Sequence, residues 1–236
     1  MKKRRHSGIV RVTHWLTFIA FVALLISGGE IVISHPRFYW GEEGNVNTKP
    51  LIVLPIPASR DTVPTGYNYV MPDQNGWSRY LHFEAAWVAV LTGLLYFVYG
   101  IASGHFREKL FPKRRDWTWR AYRDRLAKYL HGSWSDGDDG FSYNILQQTT
   151  YLFVIFVLFP LIIWTGLAMS PSFTSAFPAT ASLLGGRQSA RTIHFLVSWL
   201  LLLFLVVHVA MVSLSGFRRR MWAMIVGTSR KSEEVK

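Results

Sequence analysis

Four stretches of this 236-residue chain are apolar over about the 20 residues that a helix needs to cross a bilayer. They run over Val12–Ile33, Tyr80–Ala102, Thr149–Met169 and Ile193–Leu214. The fourth is the most uniform, with no polar side chain from Leu200 to Val207. One soluble core of this size does not need so many apolar side chains. Half of the chain is hydrophobic and only 17% is charged, against about 25% in average soluble domains. The same abundance excludes disorder. The expected fold is an all-α membrane protein, a four-helix transmembrane bundle read as one integral-membrane domain over residues 1–236, without internal repeats.

The formal net charge of +12 admits two kinds of partner, nucleic acid or a membrane with basic loops on one side. The placement of the charges separates them. Lys2, Lys3, Arg4, Arg5 and Arg11 precede the first span. Arg107, Lys109, Lys113, Arg114, Arg115, Arg120, Arg123, Arg125 and Lys128 fill the middle loop, and Arg218, Arg219, Arg220, Arg230, Lys231 and Lys236 follow the last span. These clusters hold 20 of the 26 basic residues. Positive charge marks the cytoplasmic side, so both termini and the middle loop are expected inside. No nucleic-acid-binding motif accompanies the clusters, so no nucleic-acid partner is expected. A basic start before an apolar run also describes a signal peptide. However, the run extends through Ile33 and no Ala-x-Ala site closes it, which favours a retained helix.

The first outer loop, Ser34–Arg79, is rich in Pro, Gly and Asn, and Pro50, Pro55, Pro57, Pro64 and Pro72 break any long helix in it. Within it, Leu51–Leu54 suits a short strand or a contact with a partner. In the middle loop Trp119, Tyr122, Leu126, Tyr129 and Leu130 recur near helical spacing, with Arg123, Arg125 and Lys128 between them. That pattern predicts a basic amphipathic segment lying on the inner membrane surface; the bland alternative is a solvated basic loop.

Cysteine is absent, which removes thiolate metal sites, iron–sulfur clusters and covalent haem. Of the eight histidines, His14, His82, His194 and His208 fall inside the spans, where an ionisable residue suggests function. A lone histidine there would more often be a hydrogen-bonded packing residue, but these four form a pattern. His194 and His208 are 14 residues apart, which places them within about 40° of one helix face and about 21 Å apart in height. The span directions match His82 with His194 near the outer surface and His14 with His208 near the inner one. Two facing imidazoles are what a b-type haem needs as axial ligands, and bundle cores hold such cofactors. Two zinc sites fit less well, with two ligands each and only Glu30 or Glu84 as helpers.

Gly93 and Gly100 follow His82 by 11 and 18 residues, within about 20° of its azimuth, and could admit a macrocycle beside the inner pair. Gly28 and Gly29 reach the depth of the outer pair. The alternative for each glycine is ordinary close packing of membrane helices. Haem propionates need cations: Arg79 and Arg191 suit the outer haem, and Arg11 or Arg218 the inner one. His6 and His131 are expected to face solvent, His35 to sit at an outer helix end, and His105 to close the second span on the inner side.

These features resemble the bacterial di-haem cytochrome b membrane subunits of hydrogenases, formate dehydrogenases and thiosulfate-reductase-type molybdoenzymes. The resemblance rests on Arg11-Val-Thr-His14-Trp15, Arg79-Tyr-Leu-His82-Phe83 and the His194/His208 spacing. Gly185-Gly-Arg187-Gln-Ser-Ala-Arg191-Thr-Ile-His194-Phe195, Tyr143-Asn144 and Thr165-Gly-Leu-Ala-Met-Ser-Pro171 look closest to the thiosulfate-reductase-like branch. The resemblance implies two non-covalent b haems, a multi-pass protein of the bacterial inner membrane, and electron exchange with the quinone pool. It also implies a periplasmic redox subunit, usually a molybdopterin oxidoreductase.

The chain then reads as an electron-transfer subunit with no catalytic residue of its own. Quinone is expected near the inner haem, with Tyr143, Asn144, Gln147, Gln148, Ser103, His105 and Trp15 as candidates. Helix capping by Asn144 and surface exposure of the glutamines are the competing explanations. Partner docking is expected on Ser34–Arg79 and Ser170–Gln188, at residues such as Trp40, Tyr67 and Arg187. Two rival functions remain: a histidine-lined metal or ion transporter, and a stand-alone haem quinol oxidase acting on a small oxidant.

Overall fold

The structure is a computed structural model that describes residues 6–45, 47–56, 76–113, 116–132 and 143–227. Lys2–Arg5, Pro57, Arg60, Pro64, Tyr67, Pro72, Arg114, Arg115, Arg230, Lys231 and Lys236 lie outside the described residues.

In chain order the helices are α1 (Gly8–Ser34), α2 (Trp77–Ala102), α3 (Trp119–Leu130), α4 (Ile145–Phe153), α5 (Phe159–Met169), α6 (Pro171–Ala176), α7 (Ala179–Ser182), α8 (Arg187–Leu214) and α9 (Phe217–Val226). Two-residue strands β1 (Arg37–Phe38) and β2 (Ile52–Val53) pair antiparallel, Arg37 opposite Val53. The strand expected within Leu51–Leu54 is therefore its central dipeptide. α4 and α5 form one span, Ile145–Met169, joined through a π-helical turn at Val154–Leu158. Pro160 accounts for that turn. It has no N–H to offer four residues back, and its ring crowds the carbonyl there, so the preceding backbone widens.

α1, α2, α4–α5 and α8 are long and apolar enough to cross a membrane. Each begins three to six residues before the apolar stretch read from the sequence. Hydrophobicity marks the hydrocarbon thickness, whereas helical bonding runs on until a side chain caps it. Ser7 Oγ accepts the Val10 N–H at 3.3 Å, and Asn144 Oδ1 accepts the Gln147 N–H at 3.0 Å. At 25 to 28 residues, these helices reach about 40 Å, enough for a hydrocarbon core of about 30 Å and its interfaces.

Side-chain placement is the reverse of a water-soluble protein. Ile19 is 63% exposed, Leu91 61% and Leu203 59%, while Ser27, Thr165, Ser189 and Thr192 are wholly buried. Exposed apolar flanks on this scale suit lipid, and the buried hydroxyls bond backbone carbonyls or ring nitrogens.

The chain divides into two compact units, and every long span contributes residues to both. One takes Met1–Leu16, Thr92–Val157 and Leu201–Lys236. In it α3 packs on α4, and α4 on a π-helical turn at Phe106–Leu110. The Tyr122 hydroxyl bonds Thr149 Oγ1 at 2.6 Å, and the Asn144 amide donates to the Tyr129 hydroxyl. The expected amphipathic segment is thus a helix fastened by its tyrosine flank, with Trp119, Leu126 and Leu130 exposed.

The other unit takes Thr17–Leu91 and Leu158–Leu200. Here α5, α6 and α7 pack together, with Ala168, Ala181 and Ala190 at their buried centre. The segment after α1 is stitched to the start of α8. Gly41 N–H donates to Ser189 Oγ at 2.7 Å, and Thr192 Oγ1 to the Tyr39 carbonyl at 2.6 Å. Phe38 stacks on Phe195 with ring centres 4.2 Å apart. Gly186, at φ +112°, lets the backbones meet: a Cβ there would lie 2.5 Å from the Gly41 carbonyl.

Candidate functional site

The four span histidines meet in two pairs, one within each unit. His82 of α2 and His194 of α8 have ring centres 6.2 Å apart at an interplanar angle of 58°. His14 of α1 and His208 of α8 are 6.3 Å apart at 49°. Take a metal–imidazole bond of about 2.0 Å and about 1.1 Å from that nitrogen to the ring centre; two imidazoles on one metal then stand about 6 Å apart. Both pairs meet that requirement. Among the described residues no three or more His, Cys, Asp or Glu gather into a metal site of their own. Each pair could supply two ligands, the number a haem iron leaves for the protein in a bis-histidine site.

Each histidine of the first pair is oriented by a hydroxyl on a neighbouring helix. Ser27 Oγ of α1 lies 3.0 Å from His82 Nδ1, and Thr165 Oγ1 of α5 lies 2.9 Å from His194 Nδ1. Both hydroxyls already donate to carbonyls of their own helices, Ser27 to Ala23 at 2.7 Å and Thr165 to Leu161 at 2.9 Å. They are therefore left to accept from the imidazoles. That arrangement favours the proton on Nδ1 in both rings and leaves Nε2 bare, able to bind a metal. A glycine follows each hydroxyl residue. A Cβ on Gly28 would lie 3.4 Å from His82 Cε1, and one on Gly166 would lie 3.6 Å from His194 Cε1. Gly28 thus lies against the His82 ring itself, and Gly29 has open space beside it.

The second pair has a different setting. His14 Nδ1 is buried without a hydrogen-bond partner among the described residues, and its ring stands opposite that of His208. Trp15 meets His14 edge-on at 5.3 Å, while Phe204 and Tyr151 lie 5.6 Å and 6.2 Å from His208. Gly93 is half-buried on α2. Gly100 serves another contact: the Phe106 ring occupies the space a side chain there would need.

The arginines divide between the units. Arg191 donates to the His35 carbonyl at 2.5 Å and lies 5.0 Å over the Phe38 ring. Arg79 is exposed at the start of α2. Arg187, Gln188 and Arg191 line a cleft of about 350 Å³ with Glu42 and Met169. In the other unit Arg11 donates to the Ile225 carbonyl at 2.6 Å, at the end of α9, and Arg218 is exposed. His35 is half-buried, His131 is exposed, and His6 is intermediate.

Most of the quinone candidates have structural partners. Asn144 and Gln147 form a reciprocal capping box at the start of α4. Gln148 donates to the Lys109 carbonyl at 3.2 Å, Ser103 to the Tyr99 carbonyl at 2.6 Å, and the Trp15 indole to the Met224 carbonyl at 3.3 Å. His105 lies among Tyr96, Tyr99 and Phe106 with ring centres 6.1 to 6.3 Å away. Burial and then Lys109 hold its imidazole below the ordinary range, with Glu108 opposing. Tyr143 packs on Tyr151 at 5.3 Å, and Tyr151 reaches His208. Ser27 carries no role in the sequence analysis, and Thr165 and Gly166 enter it only within the Thr165–Pro171 stretch, without a place at the site. Their signal is a hydroxyl–glycine dipeptide inside an apolar helix, a place where glycine costs stability unless something must approach closely.

The sequence profile of the prokaryotic cytochrome b561 family matches residues 5–227. A putative protein-methionine-sulfoxide reductase subunit YedZ1 from Azospira oryzae is 32% identical over 227 residues, 94% of this chain and 96% of that protein. A probable Ni/Fe-hydrogenase B-type cytochrome subunit from Cupriavidus necator is 25% identical over 209 residues, 85% of this chain and 74% of that one. No solved structure matches the chain. Together with the four membrane-length helices among the described residues and the facing histidines, the match shows that the chain belongs to the prokaryotic cytochrome b561 family, membrane proteins that transfer electrons through b-type haem.

Proposed function

We propose that the chain holds two non-covalent b haems, His82 and His194 ligating one and His14 and His208 the other. It passes electrons between a redox enzyme at the outer face and the quinone pool. The observation that carries this reading is the recurrence of one ring separation, 6.2 and 6.3 Å, in two separate histidine pairs. α8 bears one member of each pair, 14 residues apart. Bound haem would supply one-electron chemistry; the residues present Nε2 atoms, hold their orientation and exclude water. Ser27 and Thr165 fix two of the rings, and Arg191 and Arg79 supply positive charge on the outer side.

The charge asymmetry supports an inner-membrane protein with both termini and α3 cytoplasmic and the 34–79 segment periplasmic. Both relatives are named as subunits of redox enzymes, which supports a catalytic companion here; the resemblance to the thiosulfate-reductase-like branch makes that companion a molybdopterin oxidoreductase. Its docking surface is the stitched segment around Trp40 and Arg187. Quinone meets the inner pair where Tyr143, Tyr151 and His105 line the approach. The test is affinity purification of the tagged chain from its native membranes. A red preparation that brings a periplasmic oxidoreductase with it, and whose haem is reduced by quinol, supports the proposal. A colourless preparation, or a red one that quinol leaves oxidised, contradicts it.

A further inference from the structure

α9 connects the two helices that bear His14 and His208. It leaves α8 through Ser215 and Gly216, whose φ of +97° turns the chain back. Its far end is fastened to α1 on either side of His14, by Arg11 on the Ile225 carbonyl at 2.6 Å and by Trp15 on the Met224 carbonyl at 3.3 Å. Gly227 then packs on the Arg11 guanidinium, 3.1 Å from the position of a Cβ. The helix therefore forms a floor beside this pair.

Three consecutive arginines open α9, and the fold treats them differently. Arg218 and Arg219 are exposed. Arg220 is half-buried and shares the inward face with Ala223 and Gly227, three and seven residues on, both buried. Its Nε donates to the Ser215 carbonyl at 3.2 Å, which ties the guanidinium to the end of the chain segment that leaves the His208-bearing helix. Among the described residues nothing takes a hydrogen bond from its Nη groups. Among the described residues Arg11 is the cation at this end of α1; its Nη1 is taken by the Ile225 carbonyl, while its Nε is buried without a partner.

We propose that Arg220 is the carboxylate-binding residue of the His14–His208 haem, carried into place by α9; this rests on that pair holding a haem. A haem presents two propionate carboxylates, and a carboxylate at a half-buried site needs a charged, preferably forked, donor. The free Nη groups of Arg220 supply that fork. A fixed positive charge also favours the reduced iron, so Arg220 raises the potential of this haem over what the pair alone would set.

The test compares Arg220→Gln, Arg220→Lys and Arg218→Gln in the full-length purified protein, by optical redox titration and by haem transfer to apomyoglobin. Arg220→Gln should lower the potential of the spectral component that His208→Ala removes, and release that haem several-fold faster. Arg220→Lys should keep the potential but release haem faster, because the charge remains while the fork is lost. Arg218→Gln should match wild type. The proposal is overturned if both Arg220 variants match Arg218→Gln in potential and transfer rate. A wild type lacking any component that His208→Ala removes would instead overturn the haem assignment on which it rests.

Discussion

Thr165 Oγ1 lies 2.9 Å from His194 Nδ1 while donating its own proton to Leu161, so one buried hydroxyl both orients the imidazole and favours the tautomer with the proton on Nδ1. Ser27 does the same for His82 from α1. Among the described residues no such hydroxyl reaches His14 Nδ1, which makes the two pairs chemically unequal although their ring separations agree.

Thr165→Val keeps the shape and removes the acceptor. Leaving His194 Nδ1–H unpaired should cost about 1–3 kcal/mol, and loss of an outer-shell partner typically weakens metal binding by about 10-fold or more. Haem-to-protein ratios after extended dilution should fall in Thr165→Val and recover in Thr165→Ser. A ratio unchanged in Thr165→Val would show that the hydroxyl does not support the ligand.

Gly100 and Gly166 should respond differently to alanine. At Gly100 the new methyl meets the Phe106 ring, an overpacking expected to cost about 1–3 kcal/mol while the haem spectrum stays as it was. At Gly166 the methyl comes to ordinary contact distance of His194, so alanine is tolerated and leucine displaces the ligand. Thermal melts and absorption spectra of Gly100→Ala, Gly166→Ala and Gly166→Leu separate the two roles. Loss of haem in Gly100→Ala at wild-type stability would place the macrocycle at Gly100 instead.

Asn144→Ala should act on stability through the α4 cap, by about 1 kcal/mol, and leave quinone affinity alone. His105→Ala should weaken quinone-dependent haem reoxidation with little effect on the melt. Stopped-flow reoxidation of both variants decides this, and the reverse pattern would return quinone binding to the cap residues.

His35 gives a pH dependence. Burial first, then Arg191, hold its imidazole below the ordinary 6.5, a backbone contact with Ile31 opposes them, and Arg79 adds a smaller push downward. The unfolded chain takes up a proton near pH 6.5 that the folded one resists, so stability is full above that value and falls as pH drops below it. Melting temperatures at pH 7.5 and 5.5 should differ more in wild type than in His35→Asn. Equal differences would remove His35 as the source.

The spans and the histidine spacing were legible because hydrophobic length and helical geometry are local properties of the chain. The pairing of His82 with His194 followed from depth alone. Contacts that depend on which helix lies beside which were not legible: Thr165 on His194, Phe106 in the space at Gly100, or Arg11 spent on the Ile225 carbonyl. Arg220 was hidden for another reason. Three adjacent arginines read alike until the turn at Gly216 sets which one faces inward. Asn144 and Gln147 show the opposite case, where the Asn-x-x-Gln spacing already spelled a capping box and the polar pair could be read two ways.

The most direct test of the central claim is the haem content and optical redox titration of His14→Ala, His82→Ala, His194→Ala and His208→Ala. The account predicts two haems in wild type, one component missing from both His82→Ala and His194→Ala, and the other missing from both His14→Ala and His208→Ala. One haem in wild type, or a shared loss in His14→Ala and His82→Ala, would contradict it.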